Sequence, residues 1–238
     1  MEQPYSSIRE DLYLVFQPII QLISKDRKEI TEFEVLLRSK TTGAYPGNLM
    51  DQFITSEELN KHFLSWYLEE MEVHCQRYPD YVFNVNIHPQ QFLHSSTWCF
   101  LKKLREYTHQ VNIEITEKHI CSDDYQLIPH QCIGTFIKEL RLLGYKVGFD
   151  DVGSGSNSFE MVSKNIDHID CLKFSLHSFR YVNKETVDLF LRAWHHLANS
   201  HDVKIVVEGV EDAAMSEKLF ARGIHWQQGY YWAKTASL

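Results

Sequence analysis

The sequence predicts an α/β fold, a modified TIM (β/α)8 barrel with an antiparallel first strand. Three observations lead there. Eight short apolar runs alternate with stretches of helical periodicity, and the 238 residues sit close to the ~250 typical of such barrels. Only the first two runs lie too close together for a parallel crossover.

The first run is Leu12–Phe16 and the second Ile30–Leu37, with Gln17 to Glu29 between them and Ser24-Lys25-Asp26-Arg27 at the middle. A parallel crossover needs about a dozen residues or more, usually with a helix, so this pair reads as an antiparallel hairpin. Thr55 and Glu58 stand three apart like a capping box, ahead of Leu59, Phe63, Trp66 and Met71 at helical spacing. The third and fourth strands are Tyr81–Ile87 and Val111–Thr116. A helix carrying Ile133, Ile137 and Leu140 stops at Gly144, a C-terminal glycine, before the fifth strand, Lys146–Phe149. Ile169–Phe174, the helix Glu185–Leu197, Val203–Val207, the helix Met215–Ala221 with its closing Gly223, and Trp226–Trp232 complete the series. A doubly wound open sheet is the alternative, but eight strands favour closure. No low-complexity linker or solenoid repeat interrupts the chain, so residues 1–238 read as one domain.

Composition narrows the function. With 44 % hydrophobic and 24 % charged residues the chain is globular, neither disordered nor fibrous. Its 24 Lys plus Arg against 32 Asp plus Glu give a net charge of −8, which argues against a partner that is a nucleic-acid polymer. An anionic ligand stays open, because bound divalent metals reverse the sign of a local site. The five cysteines, Cys75, Cys99, Cys121, Cys132 and Cys171, form no CxxC pair and read as reduced thiols. Met1 to Asp11 is polar and acidic, and the apolar stretch Leu12 to Ile23 is broken by Gln17, Pro18 and Gln21. The expectation is therefore a cytoplasmic protein with no signal peptide and no membrane span.

The chemistry is read from what stands at or near the C-terminal end of each strand. The second strand carries Glu34, the third Asn86, the fourth Glu114, and the fifth ends in Asp150-Asp151. Lys173 closes the sixth, Glu208 the seventh, and Gln228 lies in the eighth. In a barrel these ends gather at one mouth. Five carboxylates with an amide oxygen and one lysine make an excess of negative charge, for which one or two hard divalent cations are the natural remedy. Two adjacent aspartates suit a pair of metals used in phosphodiester displacement. Any one of these acids alone is more simply a strand cap or ion-pair partner; seven strands in a row delivering such a residue are not. The loop from Asp150 to Ser158 adds Gly153 and Gly155, which allow tight turns beside the acids, without the third glycine of a dinucleotide fingerprint. His195-His196 and His74 lack zinc spacing, and Trp66, Tyr67, Trp194 and Phe190 read as packing.

Together these residues resemble the EAL domain, the family of cyclic-di-GMP-specific phosphodiesterases, over nearly the whole chain. The naming motif stands as Glu34-Val35-Leu36-Leu37-Arg38. Around it, in family order, are Phe16-Gln17-Pro18-Ile19, Val85-Asn86-Ile87, Glu114-Ile115-Thr116-Glu117, Asp150-Asp151-Val152-Gly153, Leu172-Lys173, Glu208-Gly209-Val210-Glu211 and Gln228-Gly229-Tyr230. The resemblance implies that Glu34, Asn86, Glu114 and Asp150 bind one Mg²⁺ or Mn²⁺, with Asp150 and Asp151 serving a second. It implies that Lys173 and Glu208 hold and activate the attacking water, and that Gln228 supports the network. Gln17 and Arg38 resemble the contacts to the dinucleotide, and Glu117 the anchor of the glycine loop. The implied reaction is hydrolysis of cyclic di-GMP to linear pGpG, in a homodimer. Against the family pattern, Val152, Ser154, Ser156, Ser175 and Thr235 replace phenylalanine, threonine, tyrosine, aspartate and proline. None of these removes an implied ligand. They also leave a second expectation, a module that binds the nucleotide or a protein partner without turnover.

Overall fold

The structure, a computed structural model, describes residues 10–118 and 130–238. Cys121 and most of Met1–Asp11 lie outside them. The strands are β1 (Leu12–Leu22), β2 (Lys28–Ser39), β3 (Val82–Ile87), β4 (Val111–Ile115), β5 (Lys146–Phe149), β6 (Cys171–Ser175), β7 (Lys204–Glu208) and β8 (Trp226–Gln227). They close in sequence order into a barrel. β1 runs antiparallel to both of its neighbours, β2 and β8, and β2 through β8 are parallel to one another. The helices are α1 (Gly47–Thr55), α2 (Glu57–Arg77), α3 (Ser95–Leu104), α4 (His130–Leu143), α5 (Phe159–Asn165), α6 (Lys184–Ser200) and α7 (Ala213–Phe220).

The alternation of side chains along each strand decides what goes where. Phe83, Val85 and Ile87 on β3, Val111, Ile113 and Ile115 on β4, and Leu172 and Phe174 on β6 all join the apolar core against the helices. Each such side chain, fully buried, contributes about 1.5–3 kcal/mol. The residues between them, Asn84 and Asn86, Asn112 and Glu114, Cys171 and Lys173, therefore point to the barrel axis. Polar side chains meet along that axis at both ends. Near the N-terminal mouth Lys204 meets Glu32 at 2.6 Å, and Asn112 donates to Asn84 at 2.9 Å. Near the other mouth lies the candidate site.

Several boundaries differ from the sequence expectation. β1 continues through Pro18 to Leu22, with a register shift at Ile19/Ile20, the kind of irregularity where proline is tolerated in a sheet. The connection to β2 is therefore shorter than expected. The helical cap is Ser56, whose side chain accepts from the Leu59 amide, because Thr55 still belongs to α1 and donates back to the Asp51 carbonyl. α1 itself, α3 and α5 carry too few apolar repeats to stand out in the sequence. β8 ends at Gln227, and Gln228 follows it, because the chain turns where the Trp232 and Ala233 amides donate to the Gly229 carbonyl. Lys173 sits mid-strand in β6 rather than closing it. Trp66, Tyr67 and Trp194 are buried as expected, but Phe190 is 48 % exposed.

One surface pin ties the last two helices. Asp188 on α6 accepts from Arg222 and Lys218, and Arg192 lies 3.2 Å away. The Arg222 hydrogen bond, opposed by burial and helped by Lys218, holds the Asp188 carboxyl down to about 2. A depressed carboxylate stabilises above its unfolded value, near 4, and the benefit disappears as pH falls through the folded value. Asp188→Asn should thus lower the melting temperature by about 2–4 °C at pH 7, on the order of 1 kcal/mol. Thermal melts of both proteins should converge as pH falls from about 4 towards 2.

Candidate active site

At the C-terminal mouth the side chains converge on one ammonium. Lys173 is fully buried, with Nζ 2.6 Å from Glu208 Oε1, 3.0 Å from Glu114 Oε2, 3.1 Å from Glu34 Oε2 and 3.2 Å from Asp150 Oδ1. Three N–H donors face four carboxylates. Strand register sets this up: Asn86, Glu114 and Gly148 share one rung, and Ser175 stands opposite Glu208 on another. Glu34 accepts from Asn86 Nδ2 at 3.0 Å and from Gln228 Nε2 at 2.6 Å. Gln228 Nε2 also reaches Gln17 Oε1 at 3.1 Å, across the β1–β2 pair in which Gln17 faces Glu34.

The electrostatics follow from burial and this crowding. Burial lowers the affinity of Lys173 for its proton, but Asp150, Glu114, Glu208 and Glu34 outweigh it and hold the ammonium well above the usual lysine range. Burial pushes Glu114 up to about 7, with Lys173 opposing and Glu34 reinforcing. Burial likewise pushes Glu208 up to about 7 against the pull of Lys173. Asp150 rises well above its ordinary value for the same reason, with Glu208, Glu34 and Glu114 adding repulsion. For Glu34, burial is overcome by Lys173 and the Gln228 and Asn86 hydrogen bonds, and the carboxyl falls below its ordinary value. One lysine does not balance five acids.

The donor set fits a hard cation. One oxygen each from Asp150, Asp151 and Glu208 lie within 4.8 Å of one another, the only such triad of possible metal-ligating side chains among the described residues. The buried Asn86 Oδ1, Asp151 Oδ1 and Gln228 Oε1 accept no hydrogen bond there. Oxygen-only ligands with unused lone pairs suit Mg²⁺-like or Mn²⁺-like ions rather than zinc. Glu208, read in the sequence as a water-holding group, thus also joins the paired aspartates.

A groove of about 320 Å³ opens over Glu34, Asn86, Asp150 and Asp151. Arg38 lines it, and its guanidinium donates to the Leu37 carbonyl at 2.8 Å. Tyr45, Met50, Ile54, Phe63, Tyr67 and Lys118 line it as well, and the sequence reading missed all six as site residues. Tyr67 and Phe63 are the residues that read as helix packing, and they are; the groove simply begins where that packing ends. A sequence signal existed for the polar floor, because Glu32 and Glu34, or Asn84 and Asn86, repeat at strand period.

Glu117 anchors the glycine loop through its backbone rather than its carboxylate. Its carbonyl accepts from the Ser156 amide at 2.9 Å and the Ser156 hydroxyl at 3.1 Å. Gly155 passes so close, at φ +47°, that a Cβ there would fall 2.0 Å from this carbonyl. Gly155→Ala must therefore displace the loop behind Asp150 and Asp151. The expected result is a melting temperature lowered by a few degrees, read from thermal melts.

Comparison with known proteins agrees with this geometry. The EAL domain profile matches residues 3–235. The cyclic di-GMP phosphodiesterase PdeA of Borreliella burgdorferi is 23 % identical over 237 residues, covering 96 % of this chain and 34 % of that protein. The probable cyclic di-GMP phosphodiesterase PdeN of Escherichia coli is 25 % identical over 236 residues, covering 94 % of this chain and 43 % of that one. The chain thus spans less than half the length of these two relatives. A standalone versatile EAL protein from Vibrio cholerae, solved in its c-di-GMP bound form, shares the fold with a TM-score of 0.73 at 19 % identity, over 95 % of this chain and 92 % of that one. A profile match over nearly every residue, on a closed barrel whose acids meet at one mouth, makes this chain a member of the EAL domain family.

Proposed function

We propose that the chain, acting as one domain over residues 1–238, hydrolyses one phosphodiester bond of cyclic di-GMP to give linear pGpG, with Mg²⁺ or Mn²⁺ as cofactor. The observation that carries this is the convergence of Glu34, Glu114, Asp150 and Glu208 on Lys173 beside a groove. Glu34, Asn86, Glu114, Asp150 and Asp151 would hold one or two ions, which supply hydroxide near neutral pH and positive charge at the phosphoryl oxygens. Lys173 and Glu208, themselves an ion pair at 2.6 Å, hold and activate the attacking water, and the ammonium also faces the charge that builds on the phosphoryl oxygens. Arg38 offers the phosphate its fork of donors, and Gln17 binds on the same side. Gln228, bonded to both Gln17 and Glu34, keeps the dinucleotide in register with the acids. One P–O bond breaks, water's oxygen joins phosphorus, and the departing sugar oxygen takes a proton.

We place this activity in the cytoplasm and in a homodimer. The four described cysteines are free thiols, and no helix among the described residues is long and apolar enough to cross a membrane. Purified protein with Mg²⁺ or Mn²⁺ should convert cyclic di-GMP to pGpG and stop when EDTA is added. One feature favours a second activity, nucleotide binding without turnover: Ser175, 6 % exposed, stands opposite Glu208 where the resemblance expects an aspartate. Nucleotide left intact in the presence of either metal sinks the hydrolase; measurable binding in that same sample supports the second activity.

A further inference from the structure

We infer that Asn157 is a positioning residue, whose side-chain amide fixes the Asp150–Asp151 peptide and through it both carboxylates. This rests on the proposal above that Asp150 and Asp151 are oxygen donors to a divalent ion. Asn157 is 1 % exposed. Its Nδ2 donates to the Asp150 carbonyl at 2.5 Å and to the Ile115 carbonyl, at the end of β4, at 2.9 Å. Its backbone carbonyl accepts from the Gly153 amide at 2.8 Å, and its backbone amide donates to the Ser154 carbonyl at 3.0 Å. One residue thereby ties the end of β4 and the end of β5, through its side chain, to the glycine loop that its backbone closes.

The peptide it grips is an unusual one. Asp151 adopts φ +45°, in the left-handed region that few residues with a side chain occupy, aspartate being among the more tolerant. The carbonyl of Asp150 and the two flanking carboxylates turn about the same peptide plane. Rotation of that plane would carry the Asp150 and Asp151 oxygens apart and open the triad they form with Glu208. The Asp150 amide, which belongs to the preceding peptide, is pinned to Ile115 at 3.0 Å. Asn157 supplies a restraint on the Asp150–Asp151 peptide itself, at its carbonyl, and so selects the rotation at which both acids face the groove. An amide is the suitable group, since two N–H donors on one nitrogen reach two carbonyls at once.

Calorimetric titration with Mn²⁺ in the absence of nucleotide tests this without reference to turnover. Asn157→Leu, similar in size but without donors, should weaken Mn²⁺ binding by about tenfold or more, as loss of a ligand-orienting partner does elsewhere. Asn165→Leu is the control. Asn165 is comparably buried on α5, but its amide donates to the Met161 carbonyl at 2.8 Å and not to the acids. It should lower the melting temperature while leaving Mn²⁺ affinity within about twofold, because its partner lies outside the ligand set. If Asn157→Leu does not fold, Asn157→Ser, which keeps one hydroxyl donor, decides with an expected weakening of about threefold or more. Unchanged Mn²⁺ affinity in the folded Asn157 variants overturns the inference alone. Wild-type protein that takes up no Mn²⁺ overturns the metal reading and this inference with it.

Discussion

Lys173→Met is expected to abolish turnover, by about a thousandfold or more, and to destabilise the metal-free protein at the same time. Methionine matches the length and volume of the lysine but removes the ammonium at which four carboxylates converge. Removing one partner of a buried ion pair costs about 3–5 kcal/mol, because charge is left without compensation. In a chain of this size that corresponds to a melting temperature lower by roughly 6–20 °C. Part of the loss is recovered when the acids take up protons, so the lower half of that range is the expected value. Mn²⁺ should restore stability, because a cation again balances the acids, yet leave the rate low, because the group that holds the water is gone. Melting temperature with and without Mn²⁺, beside the initial rate on cyclic di-GMP, tests all of this. A variant with wild-type rate would remove Lys173 from the chemistry.

Glu34→Ala should separate activity from stability in the opposite way. Glu34 accepts from Asn86, Gln228 and Lys173, and its loss frees those donors at the edge of an open groove where water replaces the carboxylate. It also removes repulsion that Glu114, Asp150 and Glu208 now feel. The two effects oppose each other, and the melting temperature should move by no more than about 4 °C, equivalent to 1–2 kcal/mol. Turnover should fall by about a thousandfold, since an anionic oxygen donor to the ion is lost. Affinity for the dinucleotide should fall less than tenfold, because Gln17 and Arg38 remain. A large drop in melting temperature would instead make Glu34 a structural ion-pair partner. Near-native turnover in a folded variant would take it out of the site altogether.

These two residues also show how far sequence reading reaches. Both were legible because they sit in strands, where a charged residue between apolar neighbours has few bland explanations. The barrel and its antiparallel first strand were legible from run spacing. What the sequence concealed lies where one side chain serves two purposes or where backbone does the work. Tyr67 reads as packing and is packing, but it also borders the groove. Glu117 reads as an acid, and acts on the loop through its carbonyl. Asn157 belongs to a loop whose glycines draw the eye, while its amide makes the bonds. Ser56 rather than Thr55 caps α2, since a preceding helix absent from the sequence reading occupies Thr55.

The polar axis of this barrel has a consequence for how such a chain tolerates change. Cohesion resides in the sleeve of apolar side chains between strands and helices, and the lumen contributes chemistry more than packing. A substitution inside the lumen alters charge or ligand choice while the sleeve stays filled. A substitution in the sleeve does the reverse, opening a cavity without touching an acid. The polar site and the apolar sleeve are thus written on alternate residues of the same strands, and they meet at Lys173, whose charge bears on both. A descendant with an altered set of acids would still inherit the barrel and its groove.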